Sequence, residues 1–294
     1  MAELVDALAL GASGRKLVGV QVPPSALLSL VTTDSLMGAL KKSLAVVAPV
    51  RAAIARATSS PERALYLAAA TALTVAGAKS SRRTEVVVKP LIMVSLQLGL
   101  ARTRFSRSDA DNALLFGATG ASLIGDWYML QEEFASTQAE SDRWLKRGAL
   151  CFAVNHALMI ALALKHGARP TKRDALMRLG SLAEAKLVLY ASNREIFVPI
   201  AWYSAALTAM STVMASPSLI PAETPADDPR RGLELGGLSF VASDGMILHR
   251  RTFFKDTVAG SAAEAFVLAS YALAQMLLVD GLERLAQLPQ TEAR

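Results

Sequence analysis

The chain has 294 residues, of which 52% are hydrophobic and only 19% charged, and its mean hydropathy is positive at +0.34. Soluble domains carry nearer ~25% charged residues, so this composition excludes an ordinary soluble fold and makes a lipid bilayer the solvent to reason with. The net charge of +6 does not point to nucleic acid, because Lys and Arg stand in short clusters between apolar runs, as in membrane proteins whose loops face anionic lipid.

In chain order, residues 1–26 differ from the rest and resemble the conceptual translation of a bacterial transfer-RNA gene, with Val20-Gln21-Val22-Pro23-Pro24 in the place of its T-arm. That resemblance implies a misplaced start codon, with translation beginning near Met37; the alternative is an ordinary polar leader, and neither belongs to the fold. Residues 27–60 mix apolar side chains with Asp34, Lys41, Lys42, Arg51 and Arg56, which suits a flexible segment or an amphipathic helix on a membrane surface. From residue 62 the apolar runs become regular. Runs near 64–79, 85–101, 111–131, 148–165, 174–191, 196–215, 233–249 and 262–281 each approach the roughly 17 to 25 residues that a spanning helix needs. The fifth is interrupted by Arg178, Glu184 and Lys186, and residues 216–232 are a Pro- and Asp-rich loop. Residues 284–294 form a polar tail. The runs are continuous and rich in Ala, Leu and Gly, without strand alternation, so the expected fold is an all-α polytopic bundle of about eight transmembrane helices. Small residues (Gly120, Gly125, Gly236, Gly237) allow close helix approach in lipid.

A four-plus-four repeat is suggested by Pro90-Leu91-Ile92 against Pro199-Ile200-Ala201, Gly125-Asp126 against Ser243-Asp244, and Asn155-His156-Ala157-Leu158 against Ser270-Tyr271-Ala272-Leu273. Chance likeness between apolar helices is the alternative. Loop charges favour both termini on the cytoplasmic side.

Two aspartates stand near the far ends of small-residue-rich apolar runs, Asp126 in the third and Asp244 in the seventh. A carboxylate at the bilayer centre costs roughly 2.5 to 3.5 kcal/mol even on lenient scales. Counting about 1.5 Å of rise per residue, Lys89, His156, Tyr203, Tyr271 and Gln275 fall in the same leaflet as the two aspartates, which predicts one polar cavity with Asp126 and Asp244 at its centre. Taken singly, each has a plainer reading: Lys89 snorkels to the surface, His156 bonds a carbonyl in the core, the tyrosines pack, and Asp126 is interfacial beside Trp127. The lone Cys151 excludes a disulfide framework, and His156, the one histidine in the interior of a run, does not make a metal set.

These residues resemble the YhhN family, which includes animal lysoplasmalogenases. The resemblance rests on Lys89-Pro90-Leu91, Gly125-Asp126, Gly148 through Phe152 to His156, Tyr203 to Met210, Gly237-Leu238-Ser239-Phe240 leading to Ser243-Asp244, and Tyr271 to Gln275. It covers about residues 62–283. Met159, Ser270 and the charged fifth run depart from the family pattern and bear on the substrate more than on the fold. What it implies is a multi-pass protein of the bacterial plasma membrane that cleaves the vinyl ether bond of a lysoplasmalogen or related lysolipid without a cofactor. Asp126, Asp244 and His156 would be catalytic; Lys89, Tyr203, Ser243, Tyr271 and Gln275 would bind substrate. A lipid-binding protein, or a proton-coupled transporter of a small solute, would use the same intramembrane carboxylates, and that alternative stays open at this level.

Overall fold

The computed structural model describes residues 47–180, 195–253 and 258–287. The transfer-RNA-like stretch 1–26, residues 27–46, Glu184 and Lys186 of the fifth run, and the tail beyond Gln287 lie outside the described residues. Those that are described belong to one compact unit, 46–294, and are helical or irregular. Helix α1 covers 47–57, inside the segment expected to be flexible or amphipathic. It is followed by α2 (Pro61–Ala78), α3 (Arg82–Arg102), α4 (Asp109–Glu133) and α5 (Gln138–Lys165). Helix α6 is described over 172–180, and α7 (Phe197–Met214), α8 (Leu233–Phe253) and α9 (Val258–Gln287) complete the order.

Helices α3, α5, α7 and α9 are long and apolar enough to cross a membrane, which fits an integral membrane protein. Packing runs α2–α3, α3–α4, α4–α5, α5–α7, α7–α8, α8–α9 and back from α9 to α2. That order closes a ring, and α9 also reaches α3, α4 and α5. The last helix is therefore the element against which the others are arranged. Leu277, Leu278 and Leu282 on it are almost completely buried.

Glycines set how closely the helices approach. An added Cβ at Gly125 of α4 would stand 3.0 Å from the Phe152 ring of α5, and one at Gly237 of α8 would stand 3.0 Å from the Ser211 Cα of α7. Dispersion between backbones this close is what holds helices together in lipid, where no hydrophobic driving force separates them from acyl chains.

The ends are fixed by capping and charge. Ser108 accepts from the Asp111 amide at 3.1 Å and so caps α4. Asp111 in that first turn takes Lys165 at 2.8 Å and His166 at 3.0 Å from the end of α5, an arrangement both helix dipoles favour. Among the buried charges at the same end, Glu283 of α9 receives Arg107 Nη1 at 2.5 Å, Arg63 Nη2 at 3.4 Å and the Thr103 hydroxyl. Its neighbour Asp280 pairs with Arg63 and lies 3.7 Å from Arg56. The polar cluster ties α1, α2, the end of α3 and α9 together.

Several boundaries differ from those read in the sequence. Helix α5 begins at Gln138 rather than near 148, because Glu140, Arg143 and Arg147 continue the helix beyond its apolar part. The loop expected at 216–232 contains two short 3₁₀ turns, Pro217–Leu219 and Pro229–Gly232. Pro90 lies within α3, whereas Pro199 lies in the first turn of α7, where a missing N–H removes no intrahelical bond.

Candidate active site

A cavity of about 450 Å³ opens among the helices, and Asp126 of α4 and Asp244 of α8 both line it. Each carboxyl is held by a tyrosine from a different helix. Tyr271 of α9 donates its hydroxyl to Asp126 Oδ2 at 2.7 Å, and Tyr203 of α7 donates to Asp244 Oδ2. Asp126 and Tyr271 are buried, and Asp244 is half-buried.

A continuous set of aromatic rings connects the two carboxyls. Phe240, which is 1% exposed, meets Tyr271 edge-on with centroids 5.6 Å apart and His156 edge-on at 4.8 Å. His156 in turn stacks on Tyr203 at 5.6 Å, and Phe152 meets both Phe240 and Tyr271 at 6.0 Å. Edge-to-face contacts of this kind resist rotation of each ring, so the hydroxyls that hold the aspartates are themselves held. Most of the remaining lining is apolar, from residues such as Leu145, Ile200, Leu207 and Val241.

Charge is concentrated in one part of the cavity. Lys89 of α3 is buried at 7% exposure, with its ammonium 3.8 Å from Glu133 Oε1. It therefore points inward and does not snorkel. Asp126 and Glu264 lie within its electrostatic reach, and Glu264 also pairs with Arg250. Glu133, Glu264 and Arg250 all line the cavity, and none was singled out from the sequence. Glu264 left a visible signal, a carboxylate inside the eighth apolar run. Glu133 and Arg250 sit where runs end, and there a charged residue looks like an ordinary loop boundary.

Of the residues expected to share the cavity, Lys89, Asp126, Tyr203, Ser243, Asp244 and Tyr271 line it, whereas His156 and Gln275 do not. Ser243 spends its hydroxyl on the Val267 carbonyl at 3.0 Å, a bond between α8 and α9. Gln275 is fully buried and donates Nε2 to Ser122 Oγ at 3.1 Å. His156 is fully buried behind Phe240 and Tyr203. Among the described residues no group of three or more His, Cys, Asp or Glu side chains is placed to hold a metal ion.

Two carboxyls over one cavity, each with a hydroxyl donor and apolar walls, can move a proton on and off a bound molecule. No curated protein and no solved structure matches the chain. A family model does, over residues 84–282, the part of the chain that contains both aspartates and every residue lining the cavity, and on that match the chain belongs to the YhhN family.

Proposed function

We propose that this protein is a membrane hydrolase that cleaves the vinyl ether bond of a lysoplasmalogen or a closely related lysolipid. The observation that carries the reading is the placement of Asp126 and Asp244 on one cavity, each bonded by a tyrosine hydroxyl. A vinyl ether resists nucleophiles and yields to acid. One carboxyl delivers its proton to the alkene carbon remote from the ether oxygen, which produces an oxocarbenium ion. The other, ionised, carboxylate stabilises that cation and accepts a proton from the water that adds to it. As the resulting hemiacetal collapses, its hydroxyl proton passes to the first carboxylate and the second carboxyl protonates the departing ether oxygen, giving a fatty aldehyde and a glycerophospho-base alcohol, so one water is consumed and both carboxyls return to their starting states. A pair of carboxyls with divided roles serves the same kind of cation in glycoside hydrolysis.

The apolar lining suits an acyl or alkenyl chain, and about 450 Å³ lies within the usual range for a small-molecule site. Lys89 and Arg250 would meet a lipid phosphate, and Glu133 and Glu264 the positive group of a zwitterionic headgroup, since all four line the cavity. Helices α2 to α9 are read as eight spans, and the matching Gly125-Asp126 and Ser243-Asp244 steps support two halves of four.

The test is incubation of the purified protein, in detergent or nanodiscs, with a lysoplasmalogen and with its ester-linked counterpart. Aldehyde released from the first and no cleavage of the second is expected. Solute accumulation in protein-loaded vesicles with no chemical product would place the protein among transporters and overturn the hydrolase reading.

A further inference from the structure

One helical turn from Asp126, on the side towards the Glu283 cluster, lies a layer of polar atoms without hydrogen-bond partners among the described residues. Asn155 and His156 are both fully buried, and neither amide atom of Asn155 nor either ring nitrogen of His156 has such a partner. Gln275 Oε1 is in the same position, while Gln275 Nε2 reaches Ser122.

Helix register puts these side chains together. The bonds Asp126–Tyr271 at 2.7 Å and Ser122–Gln275 at 3.1 Å step one turn along α4 and α9 in opposite chain directions. Gly125 packs on Phe152 and Gly117 on Leu158, which makes α4 antiparallel to α5 as well. Helices α5 and α9 therefore run parallel. Since the Phe152 and Tyr271 rings meet at 6.0 Å, one turn further along each brings Asn155 and His156 level with Gln275. A single turn is about 5.4 Å, so the layer lies next to Asp126.

Polar atoms left unpaired in a dry membrane interior are strongly disfavoured, and buried polar groups in proteins are satisfied by protein or by ordered water. Here an amide, an imidazole, a hydroxyl and a second amide stand at one level of the bundle, two of them already bonded to each other, a supply of partners that meets the two to four an internal water takes. We infer that Ser122, Asn155, His156 and Gln275 form an internal water site that feeds the hydrolytic water to Asp126. The site itself stands on geometry; its role in delivery rests on the hydrolase reading. In that role the water oxygen bonds to the oxocarbenium carbon, its proton passes to the ionised carboxylate, and no other reactant is required. His156, which does not line the cavity, thereby acts on the reaction through water and is a positioning residue.

Two measurements separate these statements. Radiolytic hydroxyl-radical footprinting of the wild-type protein in nanodiscs labels side chains beside bound water even when they are buried. Met159 is 1% exposed, stands one turn from Asn155 on α5 and does not line the cavity. Oxidation of Met159 is expected, and it is expected to fall in Asn155→Leu and in Gln275→Met, while labelling of the cavity residue Tyr271 is unchanged. An unlabelled Met159 in the wild-type protein overturns the site, whether or not either variant folds. In the second measurement, both variants are expected to lower kcat for aldehyde release by about tenfold or more at unchanged KM. Unchanged kcat with Met159 labelling lost overturns delivery. A wild-type protein that releases no aldehyde overturns the hydrolase reading and with it delivery, and the footprint alone then decides the site.

Discussion

Replacing Tyr271 by Phe removes one oxygen from the candidate site and nothing else. The hydroxyl donates to Asp126 at 2.7 Å, while the ring packs edge-on against Phe152 at 6.0 Å and Phe240 at 5.6 Å. Phe keeps those ring contacts, so the loss of stability should stay within about 1 to 3 kcal/mol, the cost of leaving the buried Asp126 carboxyl without that donor. A bond to a charged group is worth about 1.5 to 3 kcal/mol. If that bond acts on Asp126 in the transition state, kcat falls by roughly 10- to 100-fold, since about 1.4 kcal/mol is a factor of ten. The assay is the rate of aldehyde release from a lysoplasmalogen by detergent-purified protein, with thermal melting alongside. Tyr203→Phe, at the Asp244 bond, should show a loss of the same order. The reasoning is refuted if Tyr271→Phe melts within a degree or two of wild type and turns over substrate at the full rate.

Other expectations follow from the frame around the site. Glu283→Gln leaves the fully buried Arg107 side chain without its carboxylate; the cost should be about 3 to 5 kcal/mol, visible as a lower melting temperature. Gly237→Leu forces a side chain against the Ser211 backbone, 3.0 Å from the new Cβ. It should lose about 1 to 3 kcal/mol by overpacking, whereas Gly245→Ala on the same helix meets nothing within 4 Å and should melt like wild type. Asp228, in the loop before α8, is pushed up by burial, but Arg230 and Arg284 more than offset this and hold its carboxyl below the ordinary value of 3.8. Its contribution is therefore fully present above pH 3.8 and lost as the pH falls through the lower folded-state value. Asn at this position keeps the bond from the Arg230 amide but loses the charge that faces Arg230 and Arg284, so Asp228→Asn should destabilise by about 1 kcal/mol at neutral pH. Melting curves of the two proteins should converge in acid below pH 3.8, and a constant difference across the range would contradict the linkage.

Much of the site could be read in the sequence because lipid makes polar residues conspicuous. Asp126 and Asp244 stood out because carboxylates are costly within apolar runs, and helical rise was enough to place Lys89, Tyr203 and Tyr271 at their depth. Those five do line one cavity. The same estimate of depth carried no azimuth, and so it could not separate residues facing the cavity from His156 and Gln275, which lie behind it. The ion-pair cluster was illegible for a different reason. Glu283 meets Arg107 across 176 residues of chain, and nothing local to either residue announces the partner. Hydropathy also ends a helix where its apolar run ends, whereas α5 carries polar residues beyond that run, from Gln138. The boundary lost there is the one beside Glu133, whose place on the cavity the sequence did not reveal.

The measurement that bears most directly on the central claim is mass spectrometry of lysoplasmalogen after incubation with wild-type protein, Asp126→Asn and Asp244→Asn, each shown to be folded and membrane-inserted. The account predicts fatty aldehyde from the wild type and none above background from either variant. Aldehyde formed at wild-type rates by both variants would contradict it.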